Sequence, residues 1–220
     1  MLIQISIDAG AIDAAMQCVS KEETRHYLKG VFLDARGFIA ATNGHMAFAA
    51  RCDAIADKLV DVRPSYSTDA LAGVIIPGDA IAQVGKAAGK SKGLCYVVER
   101  DAQGMWWILY GNARVHFAPV EGAFPEWRRI VPTAPTGFLT AAHYNPAYMV
   151  ALGNMAKALR DGKKDAATAF RLHQDGDKPA LVTFLNGDGD TRVDCVAVLM
   201  PMRTKAGDYT SAAFASAFAA

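Results

Sequence analysis

The sequence lacks a stretch that could cross a bilayer. Just over half of its residues are apolar, but no run of about 18 stays free of polar groups, so no membrane span is expected. Met1 to Ile7 alternates like a strand and has neither the basic start nor the long apolar stretch of a secretory leader. Cysteine is scarce. Cys18, Cys52, Cys95 and Cys195 form no C-x-x-C pair, and none stands near a histidine at metal-ligand spacing. That excludes a zinc ribbon and predicts reduced thiols in a cytoplasmic protein, with Cys18 and Cys195, which lie within apolar runs, packed in the core. Charge of one sign is also missing. The net charge of +1 neither demands nor excludes nucleic acid, because a locally basic face is enough to approach phosphate.

Chemical signatures are absent too. Gly85 to Gly93 carries Lys86, Lys90 and Lys92, but it lacks the spacing of a phosphate loop and follows a helix instead of a strand. No nucleophile elbow, zincin motif or paired-carboxylate signature occurs. Asp188 and Asp190 have no glutamate to close a calcium loop. His26, His45, His116, His143 and His173 are scattered; His45, just after a tight turn, suits a hydrogen-bonding role. No enzyme activity, cofactor or metal is expected, which leaves a binding module.

What the chain does have is an internal repeat of strand, helix and three strands. Unit one runs from Leu2–Ile7 through a helix over Ala9–Val19, with Ile12, Ala15, Met16 and Val19 on one face. Strands over Tyr27–Ala35, Phe38–Thr42 and His45–Arg51 follow, turned at Gly37 and at Asn43-Gly44, a pair suited to a tight hairpin. Unit two begins at Gly73–Pro77. Asp79 is expected to cap a helix over Ala80–Ala88, before strands near Gly93–Arg100, Met105–Tyr110 and Ala113–Val120. Unit three begins at Gly137–Ala141. Asn145-Pro146 opens a helix reaching about Arg160, before strands near Ala167–His173, Ala180–Leu185 and Arg192–Met200. The fold expected is α+β, with antiparallel sheets and helices on one face. Residues 1–121 form a complete two-unit domain, 122–136 a proline-bearing linker, 137–204 a half domain and 205–220 a tail. Unit three is expected to find no partner within the chain.

Four segments resemble the bacterial DNA sliding clamp, the beta subunit of DNA polymerase III. They are Thr24–Val31 (TRHYLKGV), Ala41–Ala47 (ATNGHMA), Gly122–Pro132 (GAFPEWRRIVP) and Val198–Arg203 (VLMPMR), in the family's order. The resemblance implies the DNA clamp fold and a pocket for short linear peptides of the polymerase, clamp loader and repair proteins. Residue by residue, it places Leu28, Thr42, Gly44, His45, Pro125, Arg129, Ile130, Val198, Leu199, Met200, Pro201, Met202 and Arg203 around that pocket. A methionine-rich apolar cleft can repack around different anchors. Candidate contacts to double-stranded DNA are Arg25, His26, Tyr27, Lys86, Lys90, Lys157 and Arg160, although cations at helix ends also answer the helix dipole.

The chain departs from the family in three respects. Asn43, Met46 and Ala47 replace the charged and leucine residues of the hairpin, giving a less charged wall. About three units stand where the family's chain has six. The third unit is therefore expected to pair with that of another copy, as a dimer sharing a half domain or as a ring. The tail, with Tyr209, Phe214 and Phe218, either folds into the pocket or moves freely. Two functions follow from the resemblance: a replication processivity factor on DNA in the nucleoid, or a non-ring decoy that competes for clamp-binding peptides. A compact chain of this kind suits a phage or mobile element.

Overall fold

A computed structural model describes residues 3–34, 36–52, 73–91, 93–132, 142–160, 168–174, 176–185 and 189–202. The connection Ala54–Leu71, the strand Gly137–Ala141, the tail, Arg203, Lys92, Lys163 and Lys164 lie outside the described residues.

The first unit folds as β1 (Ile3–Asp8), α1 (Ala9–Met16), β2 (Gly30–Asp34), β3 (Phe38–Thr42) and β4 (Met46–Arg51). Asp8 caps α1 by accepting from the Ala11 N–H at 2.8 Å. The helix ends earlier than its periodicity suggests, and a 3-10 segment over Glu23–Leu28 replaces the start expected for the next strand. The second unit is β5 (Val74–Pro77), α2 (Gly78–Ala88), β6 (Cys95–Arg100), β7 (Trp106–Tyr110) and β8 (Ala113–Phe117). Here Pro77, not Asp79, is the N-cap. It supplies no side-chain cap, while Asp79 falls in the first turn, where its charge suits the dipole. The third unit is α3 (Pro146–Ala158), β9 (Phe170–His173), β10 (Ala180–Phe184) and β11 (Cys195–Leu199). Asn145 caps α3 as expected, accepting from the Ala147 N–H at 2.9 Å ahead of a proline at the first position.

Two antiparallel sheets result, in the orders β1-β6-β7-β8 and β5-β2-β3-β4-β11-β10-β9. The third unit therefore does have a partner within the chain. β11 pairs along β4 from Cys195 opposite Ala50 to Leu199 opposite Met46. In the helix layer α3 lies on α1. Their approach is close because Gly10 has no side chain: a Cβ there would stand 2.3 Å from the Ala158 carbonyl oxygen. Arg192 secures the same joint. It donates to the Leu159 carbonyl at the end of α3 and, through two nitrogens, to Asp194. Asp194 in turn accepts the Arg51 N–H through its backbone carbonyl.

Strand alternation sorts the long sheet into two faces. Val31, Leu33, Ile39, Ala41, Met46, Phe48, Ala50, Cys195, Ala197 and Leu199 join the main core with Ile12 and Ala15 of α1 and Leu152 and Met155 of α3. Burying each large aliphatic side chain there stabilises the fold by about 1.5–3 kcal/mol. Phe32, Ala40, Ala49 and Val196 belong to a second, smaller cluster on the other face.

Candidate functional site

The smaller cluster forms because three central outward positions, Ala40, Ala47 and Ala49, are too small to cover the sheet themselves. The segment after β8 covers it. Val120 donates to the Ile75 carbonyl beside β2. Phe124 then stacks on Phe32 of β2, with ring centroids 4.8 Å apart. A 3-10 turn over Trp127–Ile130 seats Trp127 against Phe38, Ala40 and Ala49. Val131 reaches the neighbourhood of Val196 on β11. The proline-bearing linker is thus a strap across four strands, joining the first unit to the third.

Arg128 fastens the strap. It donates to Asp34 at the end of β2 at 2.5 Å, and its guanidinium lies 5.0 Å from the Phe38 ring centre and 4.2 Å from that of Trp127. Burial opposes ionisation of Asp34. The hydrogen bonds from Arg128 and the Arg36 backbone, with both arginine charges, outweigh it and hold the carboxyl below its ordinary range.

Beside the strap, the β3–β4 hairpin is built by its own side chains. Thr42 Oγ1 donates to the Met46 carbonyl and accepts from the Gly44 N–H. Asn43 Oδ1 accepts from the N–H groups of His45 and Met46. Gly44 has φ of 87°, a conformation that strains other residues. The His45 carbonyl accepts from the Met200 N–H at 2.9 Å, and its ring stacks on Tyr148 of α3 at 6.0 Å. Met202 donates to the His143 carbonyl at 2.7 Å, so the chain beyond β11 is held by backbone bonds on both sides.

Two adjoining shallow depressions result. One is lined by Thr42, Gly44, His45, Met46, Ala47, Ile130, Val198 and Met200. The other is lined by Ala47, Phe48, Ala49, Trp127, Val131, Val196 and Val198. Each holds about 10 Å³, room for about one water.

The structure brings Thr42, Gly44, His45, Ile130, Val198 and Met200 together at this place. Leu199 points the other way, fully buried in the main core, because neighbouring strand residues face opposite sides. Leu28 is buried at the end of the 3-10 segment. Pro125 and Arg129 are exposed on the strap. Pro201 is half-buried and Met202 half-exposed beyond β11. Sequence reasoning did not assign Trp127, Val131, Val196, Ala47 or Tyr148 to the site. Trp127 and Val131 stood inside the quoted linker motif, where an aromatic residue following a proline signals a docking anchor. Ala47 likewise lay within a quoted segment and Tyr148 within the expected third helix, but only the fold shows which surface they meet.

The candidate DNA contacts divide into two groups. Arg25 lies over the hairpin, its guanidinium near Gly44 and 3.5 Å from Glu22. His26 and Tyr27 lie beside Gly122 at the start of the strap. Lys86 stands in the last turn of α2 with Lys90 just beyond it, and Lys157 in the last turn of α3 with Arg160 just beyond it. Gly85 and Ala158 line one groove of about 390 Å³ between the helices, with Asp13, Gln17, Tyr96 and Tyr110. Among the described residues, no group of three acidic, histidine or cysteine side chains could hold a metal, and no helix is long and apolar enough to cross a membrane.

The repeated unit, the strand exchange between units and the helix layer on one side define a clamp-type α+β fold. No protein-family model and no curated protein matches the sequence. Among solved structures, the chain is similar to the DNA polymerase sliding clamp from Pseudomonas aeruginosa with ligand (17% identity, TM-score 0.62). It is also similar to the clamp from Caulobacter crescentus (18%, 0.61) and to the DNA polymerase III subunit beta of Bartonella birtlesii bound to griselimycin (17%, 0.61). Each match covers 92% of this chain and 66% of the other. The chain has the fold of the bacterial DNA sliding clamp and spans just under two thirds of those proteins' length.

Proposed function

We propose that the chain is a clamp-like replication protein whose strap, hairpin and last strand bind short linear peptides of polymerase and clamp-loader partners. The supporting observation is convergence. Thr42 to Ala47, Ile130, and Val198 with Met200 come from three distant segments and meet on one apolar surface. Those segments are the ones whose sequences resemble the clamp family. In this reading residues 1–121 are a complete clamp-like domain, 122–136 the strap and 137–204 a half domain. Flexible apolar side chains at the rim suit an extended peptide with aliphatic and aromatic anchors. Burying two or three anchors at about 25 cal/mol per Å² gives micromolar affinity after the entropy of ordering is subtracted.

The test is a fluorescence-anisotropy titration of a labelled peptide carrying such anchors. Micromolar binding is expected, weakened at least tenfold by combining Ile130→Ala with Met200→Ala. Absence of saturable binding, or equal affinity of the variant, would sink the reading. A second reading is a decoy that holds the same peptides without encircling DNA; the completeness of the surface within a single chain favours it. Retention on closed circular DNA, lost on linearisation, marks the processivity factor. Peptide binding without retention marks the decoy.

A further inference from the structure

The strap is held on the sheet by side chains. The bond from the Val120 N–H to the Ile75 carbonyl ties its start. Beyond it, the strap's backbone bonds among the described residues are local, from Arg129 to the Glu126 carbonyl and from Val131 to that of Arg128. Phe124, Trp127, Val131 and the Arg128–Asp34 pair therefore keep residues 121–131 in place.

Two donors are stranded in this arrangement. Trp127 Nε1 and Arg128 Nη2 are buried, and no acceptor among the described residues lies within hydrogen-bond reach of either. The fold treats another indole differently: Trp107 Nε1 donates to Asp101 at 2.9 Å. A buried donor without an acceptor bears the full cost of leaving water. The Arg128 guanidinium lies over the Trp127 ring, 4.2 Å from its centre, so the two stranded groups lift together. Docking gains apolar contact and an ion pair, but it forfeits two hydrogen bonds that lifting restores.

The place Trp127 fills adjoins both depressions. Its indole packs on Ala40 and Ala49 and lines one depression, while Ile130 of the same 3-10 turn lines the other. The two share Ala47 and Val198. Each holds about 10 Å³, far short of an aromatic ring. Binding a large anchor therefore needs room, and the turn carrying Trp127 and Ile130 is the part of the wall outside the strand ladder.

We infer that the sheet face of Ala40, Ala47 and Ala49 beneath Trp127 is the seat for an aromatic anchor of the partner peptide, and that Trp127 is its resident, displaced on binding. An aromatic occupant suits the floor, because three alanines leave a hollow that an indole already fills between Phe38 and Val196. Replacing one ring by another keeps the apolar burial, while both stranded donors regain partners in water. Lifting the turn also joins the two depressions. The inference rests on the peptide-binding reading and adds to it the class of anchor and the contact that holds the site closed.

The test uses the full chain and two labelled peptides that differ only in carrying Phe or Ala at the anchor. Trp127→Ala removes the resident, so the open state is no longer in competition with the closed one. The Phe peptide should then bind about fivefold tighter or more, and the Ala peptide with unchanged affinity. Asp34→Asn unfastens the strap without touching either depression. It should also tighten the Phe peptide, and it decides the matter if Trp127→Ala does not fold. In the unaltered protein without peptide, hydrogen exchange by NMR should show the Trp127 indole N–H exchanging through a local opening, well ahead of the core amides of β3 and β4. If Trp127 were instead a fixed wall of the site, Trp127→Ala would weaken both peptides. That result, unchanged affinity for the Phe peptide in the folded variant, or indole exchange as slow as the core amides would overturn the inference and leave peptide binding standing. If neither the unaltered chain nor the variants bind either peptide, both readings fall together.

Discussion

The strap's fastening can be tested by Asp34→Asn. Asparagine keeps the size of the side chain and an oxygen for the Arg36 N–H, which donates to Asp34 at 2.8 Å. It removes the charge that meets Arg128 and, at 3.5 Å, the more exposed guanidinium of Arg36. The Asp34 side chain is 8% exposed and that of Arg128 27%, so solvent screens the pair partly. A net hydrogen bond to a charged group contributes about 1.5–3 kcal/mol, and partial exposure of the arginine places this pair near the lower end. The variant should therefore lose about 1.5–2 kcal/mol at pH 7 by urea unfolding. The pH dependence has a definite sign. Asp34 is held below its ordinary value, so its contribution is complete above the unfolded-state pKa near 4 and is lost as pH falls through the lower folded-state value. The gap between the two proteins should stay constant from pH 7 down to about pH 4 and close below it. Equal stability at pH 7, or a gap that widens on acidification, would refute the role assigned to the ion pair.

Three further outcomes are expected. Gly10→Ala, which in an ordinary helix interior stabilises by about 0.5–1 kcal/mol, should here destabilise by about 1–3 kcal/mol, because the new Cβ meets the Ala158 carbonyl; thermal unfolding reads the sign. Arg192→Leu should cost about 2–4 kcal/mol in a denaturant titration, since it strands the Asp194 carboxylate and the Leu159 carbonyl. Burial pushes the Cys18 thiol up, the Cys195 thiol up to about 12, and the half-buried Cys95 thiol up as well. A thiol-disulfide reagent at pH 8 should therefore find these three slow in the native protein and fast in denaturant.

Much of the architecture was legible in the sequence because its signals are local. Asn145-Pro146 announces the start of α3 through a side chain that caps and a ring that needs no N–H. Asn43-Gly44 announces the hairpin through residues that satisfy a tight turn. Asp79 misled because a capping residue must itself have non-helical backbone angles; that place falls at Pro77, which leaves Asp79 already inside α2. The faces of the last strand needed its pairing with β4. A contiguous motif covers Val198, Leu199 and Met200, but the pleat turns Leu199 into the core.

By itself the sequence determined the repeat, the helix caps, the turns and the apolar content of each unit, all set by neighbours within a few residues. Tertiary structure alone decided that β11 continues β4, that Gly10 admits the Ala158 carbonyl, and that Trp127 covers three alanines. These depend on pairings across many residues, where complementary shape and unsatisfied backbone groups choose the partner. The candidate peptide surface belongs to this second kind: its motifs are written along the chain, but it exists only where the strap crosses the sheet.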